Sequence, residues 1–203
     1  MPEKPQDFSS LCLDFANAVG EDPRRFQNYG DLLAWAAEAG VLNPLDRLHL
    51  QAVAGRQPEQ AARVFARALA LREAVYTVFS AVAAGRSAPS EGLEQLNGVL
   101  AEALRHQRLE PAEGGDTWGW EGLGDALDSP LWPVARSAAE LLTSDRLPRV
   151  RECDSPTCNW FFLDYSKNHS RRWCSMSSCG NRAKARRHYR RLRGEGVSDA
   201  DGR

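Results

Sequence analysis

The amino-acid sequence predicts an α+β fold, in which a mostly helical N-terminal domain with a small β element precedes a small C-terminal domain. Three observations lead to this prediction. Apolar residues recur at helical spacing through most of the first 142 residues, and two tryptophans alternate beside a glycine pair near residue 114. Four of the five cysteines lie close together after residue 150, which indicates a separate C-terminal unit.

Composition places the chain among globular proteins. Of its 203 residues, 42% are hydrophobic and 26% are charged, which excludes a disordered, collagen-like or disulfide-dense chain. No run of 18 apolar residues is present, and the first residues lack a basic stretch followed by an unbroken apolar one. We therefore expect no membrane span and no secretory signal, and we expect a cytoplasmic protein whose thiols stay reduced.

Helices are predicted where apolar residues recur every three or four positions. The first runs from Phe8 to Val19, although Leu11, Leu13 and Phe15 would also fit a strand. Further helices are predicted over residues 31–39, 44–53, 58–84, 90–104 and 129–142.

The stretch between residues 107 and 124 differs in character. Gly114 and Gly115 form a turn signal, and Trp118 and Trp120 alternate after it, so two short strands are expected. Ser129 and Pro130 then resemble a helix cap followed by a proline at the first helical position. A domain boundary is predicted at residues 147–148, which gives a body over 1–147, a C-terminal unit over 148–194 and a disordered polar tail over 195–203.

The net charge of −1 conceals a strong asymmetry. Residues 1–148 carry 13 basic residues (Lys and Arg) and 21 acidic ones (Asp and Glu). Residues 149–203 carry 13 basic residues and 6 acidic ones. The body is therefore acidic and the C-terminal unit is basic, which predicts that the C-terminal unit contacts a polyanion. Mutual neutralisation of the two parts within one molecule is the alternative.

The cysteine spacing predicts a metal site. Cys153 and Cys158 form one close pair, Cys174 and Cys179 form another, and 15 residues separate the pairs. Each pair can turn two sulfurs toward one ion, and the intervening span can leave and return as a hairpin. Four thiolates close a Zn²⁺ tetrahedrally, so the metal would be structural and leave no position for a substrate. Disulfides or free thiols are the alternatives.

A basic helix is expected directly after the last cysteine. Seven of the twelve residues from Arg182 to Arg193 are basic, none is acidic, and like charges one turn apart destabilise a helix without a counter-charge. An apolar stripe of Ala185, Tyr189 and Leu192 is expected to pack on the C-terminal unit. Arginines near the metal could instead neutralise its thiolates. The residues predicted to bind nucleic acid are Arg171, Arg172, Arg182, Lys184, Arg186, Arg187, Arg190 and Arg191.

The body offers weaker functional signals. It contains no phosphate-binding loop, dinucleotide fingerprint, metalloprotease motif or nucleophile elbow, so an enzyme is not predicted. Polar residues beside apolar stripes and several tryptophans could line a ligand pocket, although caps and aromatic core are the simpler interpretation. The candidate pocket residues are Asp14, Asn17, Trp35, Trp118 and Trp132.

Two parts of the sequence carry a family resemblance. Three C-terminal segments resemble the CGNR zinc finger family: Arg171–Met176, Cys179–Arg182 and Cys158–Asp164. Near the N-terminus, Leu11–Asn17 resembles the start of the ABATE domain that usually precedes this finger. Two further segments agree with that domain, Asp31–Trp35 and Ser137–Leu142. The resemblance covers nearly the whole chain.

This resemblance implies a bacterial protein that regulates transcription under stress. Its finger would resemble a treble clef, with a knuckle, a hairpin and a helix that supplies the last ligands, and its zinc ligands would be the four clustered cysteines. We therefore expect a DNA-binding regulator whose body senses a small molecule or forms a homodimer. RNA binding by the same finger is the main alternative, and a small-molecule-binding protein or enzyme with an accessory finger is a further one.

Overall fold

The computed structural model describes residues 10–18, 26–112 and 114–193. The N-terminal body is mostly helical. Its helices are α1 (Leu11–Asn17), α2 (Tyr29–Glu38), α3 (Pro44–Arg56), α4 (Pro58–Ala83), α5 (Ser90–Arg105) and α6 (Trp132–Leu142). The expected ends of the first helix at Phe8 and Val19, and the predicted tail over 195–203, lie outside the described residues.

The two expected strands are present between α5 and α6. Strands β1 (Gln107–Ala112) and β2 (Gly115–Trp120) form an antiparallel hairpin, in which Leu109 lies opposite Trp118. Gly114 and Gly115 have φ angles of 96° and 136°, which a residue with a Cβ rarely adopts. The glycine pair therefore makes this turn, as the sequence indicated.

A local signal explains where α2 begins, whereas the expected signal at the start of α6 fails. The side chain of Asn28 accepts a hydrogen bond from the backbone of Asp31, and the Asp31 carboxylate accepts one from the backbone of Asn28. This reciprocal capping box starts α2 two residues before the predicted position. The prediction that Ser129 caps α6 is wrong. Residues 129–131 form a separate 3₁₀ turn, and the Ser129 hydroxyl donates to the carbonyl of Leu123, so α6 begins at Trp132.

One hydrophobic core lies between α1, α2, α4 and α6. Phe15 is fully buried in it, and its ring lies 5.0 Å from that of Trp35 and 5.5 Å from that of Phe26. Cys12 is also fully buried, as expected for a small apolar side chain, and burial raises the pKa of its thiol to about 12. This thiol therefore stays protonated and packs in the core.

The C-terminal unit shares this core. Its strands β3 (Val150–Glu152) and β4 (Phe161–Leu163) pair antiparallel, and Val150, Phe161 and Leu163 are buried with residues of the body. The Phe161 ring lies 5.1 Å from the ring of Tyr76 on α4. The last helix, α7 (Asn181–Leu192), follows a π-helical turn over Met176–Gly180. Within the described chain, the body and the β3–β4 hairpin are therefore packed as one structure.

A polar clamp strengthens this junction. The amide nitrogen of Asn17 donates to the carbonyl of Phe161 at 2.9 Å, and the amide oxygen of Asn17 accepts from the Phe161 backbone N–H at 2.7 Å. One side chain thus satisfies both polar groups of a buried β4 residue, much as a neighbouring strand would. Because Asn17 ends α1, this clamp fixes the first helix to the C-terminal unit.

Replacing Asn17 with Ala should lower the free energy of unfolding by about 2–3 kcal/mol, because the buried N–H and C=O of Phe161 lose their partners. Urea denaturation followed by circular dichroism measures this change. Asn97→Ala, at an exposed position of α5, is the control and should change stability little. An equal effect of both substitutions would contradict the role given to the clamp.

Candidate metal centre and nucleic-acid interface

The four clustered cysteines converge at one point. Their Sγ atoms all lie within 4.8 Å of one another, and Cys174 is 3.7 Å from both Cys158 and Cys179. These separations are far longer than the ~2.05 Å of a disulfide. A tetrahedral zinc ion with Zn–S bonds of about 2.3 Å requires sulfurs about 3.8 Å apart. The donor type, number and spacing therefore fit Zn²⁺.

The hairpin of the metal centre lies in a different place from the prediction. The sequence indicated a hairpin between the two cysteine pairs, and this is wrong. The strands β3 and β4 instead flank the first pair, so Cys153 and Cys158 occupy the loop of the hairpin. The Cys153 N–H donates to the carbonyl of Trp160, which extends the hairpin to the first ligand. The turn after it is closed by a hydrogen bond from the Cys158 N–H to the carbonyl of Ser155.

The second pair is held against this loop by local hydrogen bonds. The Asp154 N–H donates to the carbonyl of Arg172 at 3.0 Å, and the Cys174 N–H donates to the sulfur of Cys153 at 3.5 Å. The Arg172 side chain also pairs with the Asp154 carboxylate at 2.6 Å. Cys179 lies in the π-helical turn that leads directly into α7, so the last ligand fixes the start of that helix.

A buried carboxylate organises the loop between β4 and Cys174. Asp164 is fully buried and accepts hydrogen bonds from the backbone N–H groups of Ser166 and Arg171, at 2.8 and 3.0 Å. Burial alone would raise the pKa of this carboxyl, but these hydrogen bonds and the charge of His169 hold it below its usual value. Asp164 was not predicted as functional, although an acidic residue directly after an apolar strand is a visible signal.

One arginine contacts the metal centre directly. The Arg182 guanidinium donates to the sulfur of Cys179 at 3.2 Å. Burial would raise the pKa of the Cys179 thiol, but Arg182 and the neighbouring thiols lower it to about 6. Burial raises the pKa of Cys158 to about 11, so zinc must displace its proton. Arg182 thus acts on one ligand and favours its thiolate form.

The other two arginines near the centre are also engaged within the finger. The Arg171 side chain donates to the carbonyls of Trp173 and Cys174, and its guanidinium lies 4.5 Å from the centre of the Phe162 ring. Arg172 pairs with Asp154 and lies 4.8 Å from the centre of the Trp173 ring. Both side chains therefore stabilise the fold around the cysteines, and their predicted contact with nucleic acid remains a prediction.

The helix α7 carries the remaining predicted basic residues. Lys184, Arg187 and Arg191 are exposed, and Arg186 is half-buried. Arg190 lies on the same helix, but its side chain is not among those that the structure describes. The structure therefore collects these residues on one projecting element.

The expected packing of the apolar stripe on α7 is wrong. Ala185 is exposed, and Tyr189 and Leu192 are 66% and 70% exposed. The partly covered residues of the helix are Ala183 and Arg186, which lie on another side. The physical reason is that the finger is small and its described buried apolar residues surround the cysteines, at the start of α7 and away from the stripe.

Three of the five predicted pocket residues line one cleft. This interface cleft of about 640 Å³ lies between α1 and α2 of the body and the β4 region of the finger. The cleft is lined by Asp14, Asn17 and Trp35. The other two predicted residues lie elsewhere: Trp118 is 57% exposed on β2, and Trp132, at the start of α6, is buried with its ring stacked on His106. Residues that the sequence did not suggest as pocket residues also line the cleft, among them Glu38, Trp160, Tyr165 and Arg171.

The site thus defines a class of protein, a helical body joined to a four-cysteine zinc finger. Residues 9–145 match the family model of the ABATE domain, described as "Putative stress-induced transcription regulator", and residues 149–192 match that of the CGNR zinc finger. Because the first match spans more than half of the chain, the protein belongs to the ABATE family. Both resemblances are confirmed, and no curated protein matches the chain.

These matches and the cysteine geometry assign one structural Zn²⁺ to each chain, held by Cys153, Cys158, Cys174 and Cys179. They support a regulator with a zinc site, and neither family is an enzyme family. Among the described helices, none has the length and apolar character to span a membrane.

Replacing Arg182 with Ala should weaken zinc binding about tenfold, because the Cys179 thiolate loses its charged hydrogen-bond donor. Competition with a chromogenic chelator measures the zinc affinity. Arg187→Ala removes an equal charge from the same helix without touching a sulfur, so it should leave the affinity nearly unchanged. Equal losses in the two variants would mean that net charge, rather than the contact with Cys179, sets the affinity.

Proposed function

We propose that this protein is a DNA-binding transcription regulator that uses the helix α7 to contact the duplex. The observation that carries this proposal is the exposure of α7: none of its described side chains is buried. A helix of 12 residues that leaves a metal-clamped finger in this way offers its surface to a partner. The chemistry of that surface indicates what the partner is.

The surface of α7 is strongly cationic. Seven of the residues from Arg182 to Arg193 are basic, and no acidic residue lies among them. Neighbouring like charges destabilise an isolated helix, and phosphates of a nucleic acid would supply the missing counter-charge. Because Arg182 serves a zinc ligand, we assign the phosphate contacts to the residues beyond it. These are Lys184, Arg186, Arg187, Arg190 and Arg191.

The arginines of the preceding loop have a different part in this proposal. Arg171 and Arg172 hold the second cysteine pair against the first through carbonyl, carboxylate and ring contacts. They would therefore position α7 through the metal centre, and any contact with DNA would be secondary. Such a protein would act in the cytoplasm, where reduced thiols remain free to bind zinc.

RNA binding is the second candidate, and one observation favours it. Tyr165 is 61% exposed beside Arg149, so an unpaired base could stack on its ring. The other aromatic faces of the finger are less available, because guanidinium groups lie over Phe162 and Trp173. Competition between duplex DNA and a structured RNA at one salt concentration separates the two candidates.

We also propose that the interface cleft binds a small effector. Its volume of about 640 Å³ suits a small molecule, and clefts between packed units are common ligand sites. The body contributes the carboxylates of Asp14 and Glu38, and the finger contributes Arg171 and Cys174. A ligand held there would touch a zinc-binding residue and could thereby change the position of α7.

Changing Lys184 and Arg191 together to Gln should weaken binding to a fluorescent random-sequence DNA duplex. It should also reduce the slope of log affinity against log salt by about two, since two phosphate contacts are lost. Fluorescence anisotropy at several salt concentrations measures both quantities. Arg47→Gln with Arg56→Gln removes two exposed charges from α3 and should leave the slope unchanged. An unaltered slope in the α7 variant would remove this helix from the proposal.

Filling the interface cleft should abolish effector binding. A thermal-shift screen of metabolites with the full chain should find a compound that raises the melting temperature, and the same compound should not stabilise Ala39→Phe, whose ring would occupy the cleft. Ala52→Phe, at an exposed position of α3, is the matched control and should respond as the wild type does. A compound that stabilises all three proteins equally would bind elsewhere.

A further inference from the structure

The apolar stripe on α7 is exposed along its length, and Tyr189 has a ring contact with its chain neighbour His188, with 6.3 Å between the ring centres. Ala185, Tyr189 and Leu192 fall within about 60° of one another around the helix, at 100° per residue. All three are exposed, the two larger ones by about two thirds. Exposed tyrosine and leucine side chains on the same face of a helix are a feature that binding to phosphate does not explain.

The stripe points away from the finger. Ala183 and Arg186 are the described residues of α7 that are partly covered. They lie roughly 90–150° around the helix from the centre of the stripe. The stripe therefore lies outside the covered part of the helix and is accessible to a partner of α7.

Basic residues border the stripe on both sides. Arg186 and Arg193 lie on one side of it, and Lys184 and Arg191 lie on the other. This arrangement suits the major groove of B-DNA, which is about 12 Å wide, admits a helix and has phosphates along both walls. A second copy of this helix does not suit it, because the same basic residues would face each other.

The chemistry of the groove floor identifies what the stripe can contact. The base edges in the major groove present hydrogen-bond donors and acceptors. The apolar group that they present there is the C5 methyl group of thymine. We infer that Ala185, Tyr189 and Leu192 read thymine methyl groups in the major groove, while the flanking basic residues hold the two phosphate walls. This inference rests on the proposed function and adds to it the class of base that is recognised. It applies to DNA alone, because the deep, narrow major groove of A-form RNA is closed to side chains.

Replacing thymine by deoxyuridine tests the inference, because it removes the methyl group without changing charge or base pairing. The probe is a duplex recovered from a random pool by the full-length, zinc-loaded chain, together with the same duplex made with deoxyuridine throughout. The wild type should bind the deoxyuridine duplex about fourfold more weakly for each methyl contacted, the value of one buried methyl-sized group. Equal binding of both duplexes, or recovery of duplexes without thymine, would overturn the inference.

Two variants assign the effect to the stripe. Tyr189→Ser and Leu192→Ser should bind the thymine duplex more weakly and discriminate less between the two duplexes. Lys184→Gln, which removes a flanking charge, should weaken binding to both duplexes equally. Circular dichroism and zinc content verify that each variant is folded. Full discrimination in both serine variants would overturn the assignment to these residues. Failure of the wild type to bind any duplex would instead contradict the proposed function itself, which the random-sequence anisotropy experiment detects separately.

Discussion

Four sulfur atoms hold together a segment that has very little apolar core of its own. In the finger, the cluster around the metal site buries Cys153, Phe162 and Cys179, which is too little apolar surface to fix two loops and a helix. A zinc ion bound by four thiolates supplies the missing free energy. It also joins residues that are far apart in sequence, since Cys153 and Cys179 come from opposite ends of the finger. The position of α7 depends on this constraint, because the last ligand lies in the turn from which the helix starts.

The finger is nevertheless built into the body rather than attached to it. Val150, Phe161 and Leu163 complete the hydrophobic core of the N-terminal helices, and Asn17 holds the backbone of β4. The interface cleft is formed at the same junction. Its walls include Arg171, which donates to the carbonyl of Cys174. A change in the cleft therefore has a short physical connection to the metal centre and, through Cys179, to α7.

The sequence predicted the features that depend on local spacing. The cysteine pairs, the periodic helices and the glycine turn each carry their signal within a few residues, and all are present. Features that depend on distant contacts were missed. Asn17 lines the cleft, as its position in the sequence suggested, but its hydrogen bonds to Phe161, 144 positions away, also give it a clamping role that the sequence did not indicate. Trp118 and Trp132 looked alike in sequence, yet one is exposed on a hairpin and the other is buried. The stripe on α7 resembled a packing surface because spacing does not reveal how little surface a small finger offers.

Hydrogen exchange of the backbone amides, with zinc bound and after its removal by a chelator under reducing conditions, tests the central role of the metal most directly. The amides of Cys153, Asp154 and Cys158, which donate hydrogen bonds within and between the metal loops, should lose protection together with those of α7 when zinc is removed. The amides of α4 and α5 should stay protected, since the core of the body contains no metal ligand. Unchanged protection of the finger amides in the zinc-free protein would contradict the account.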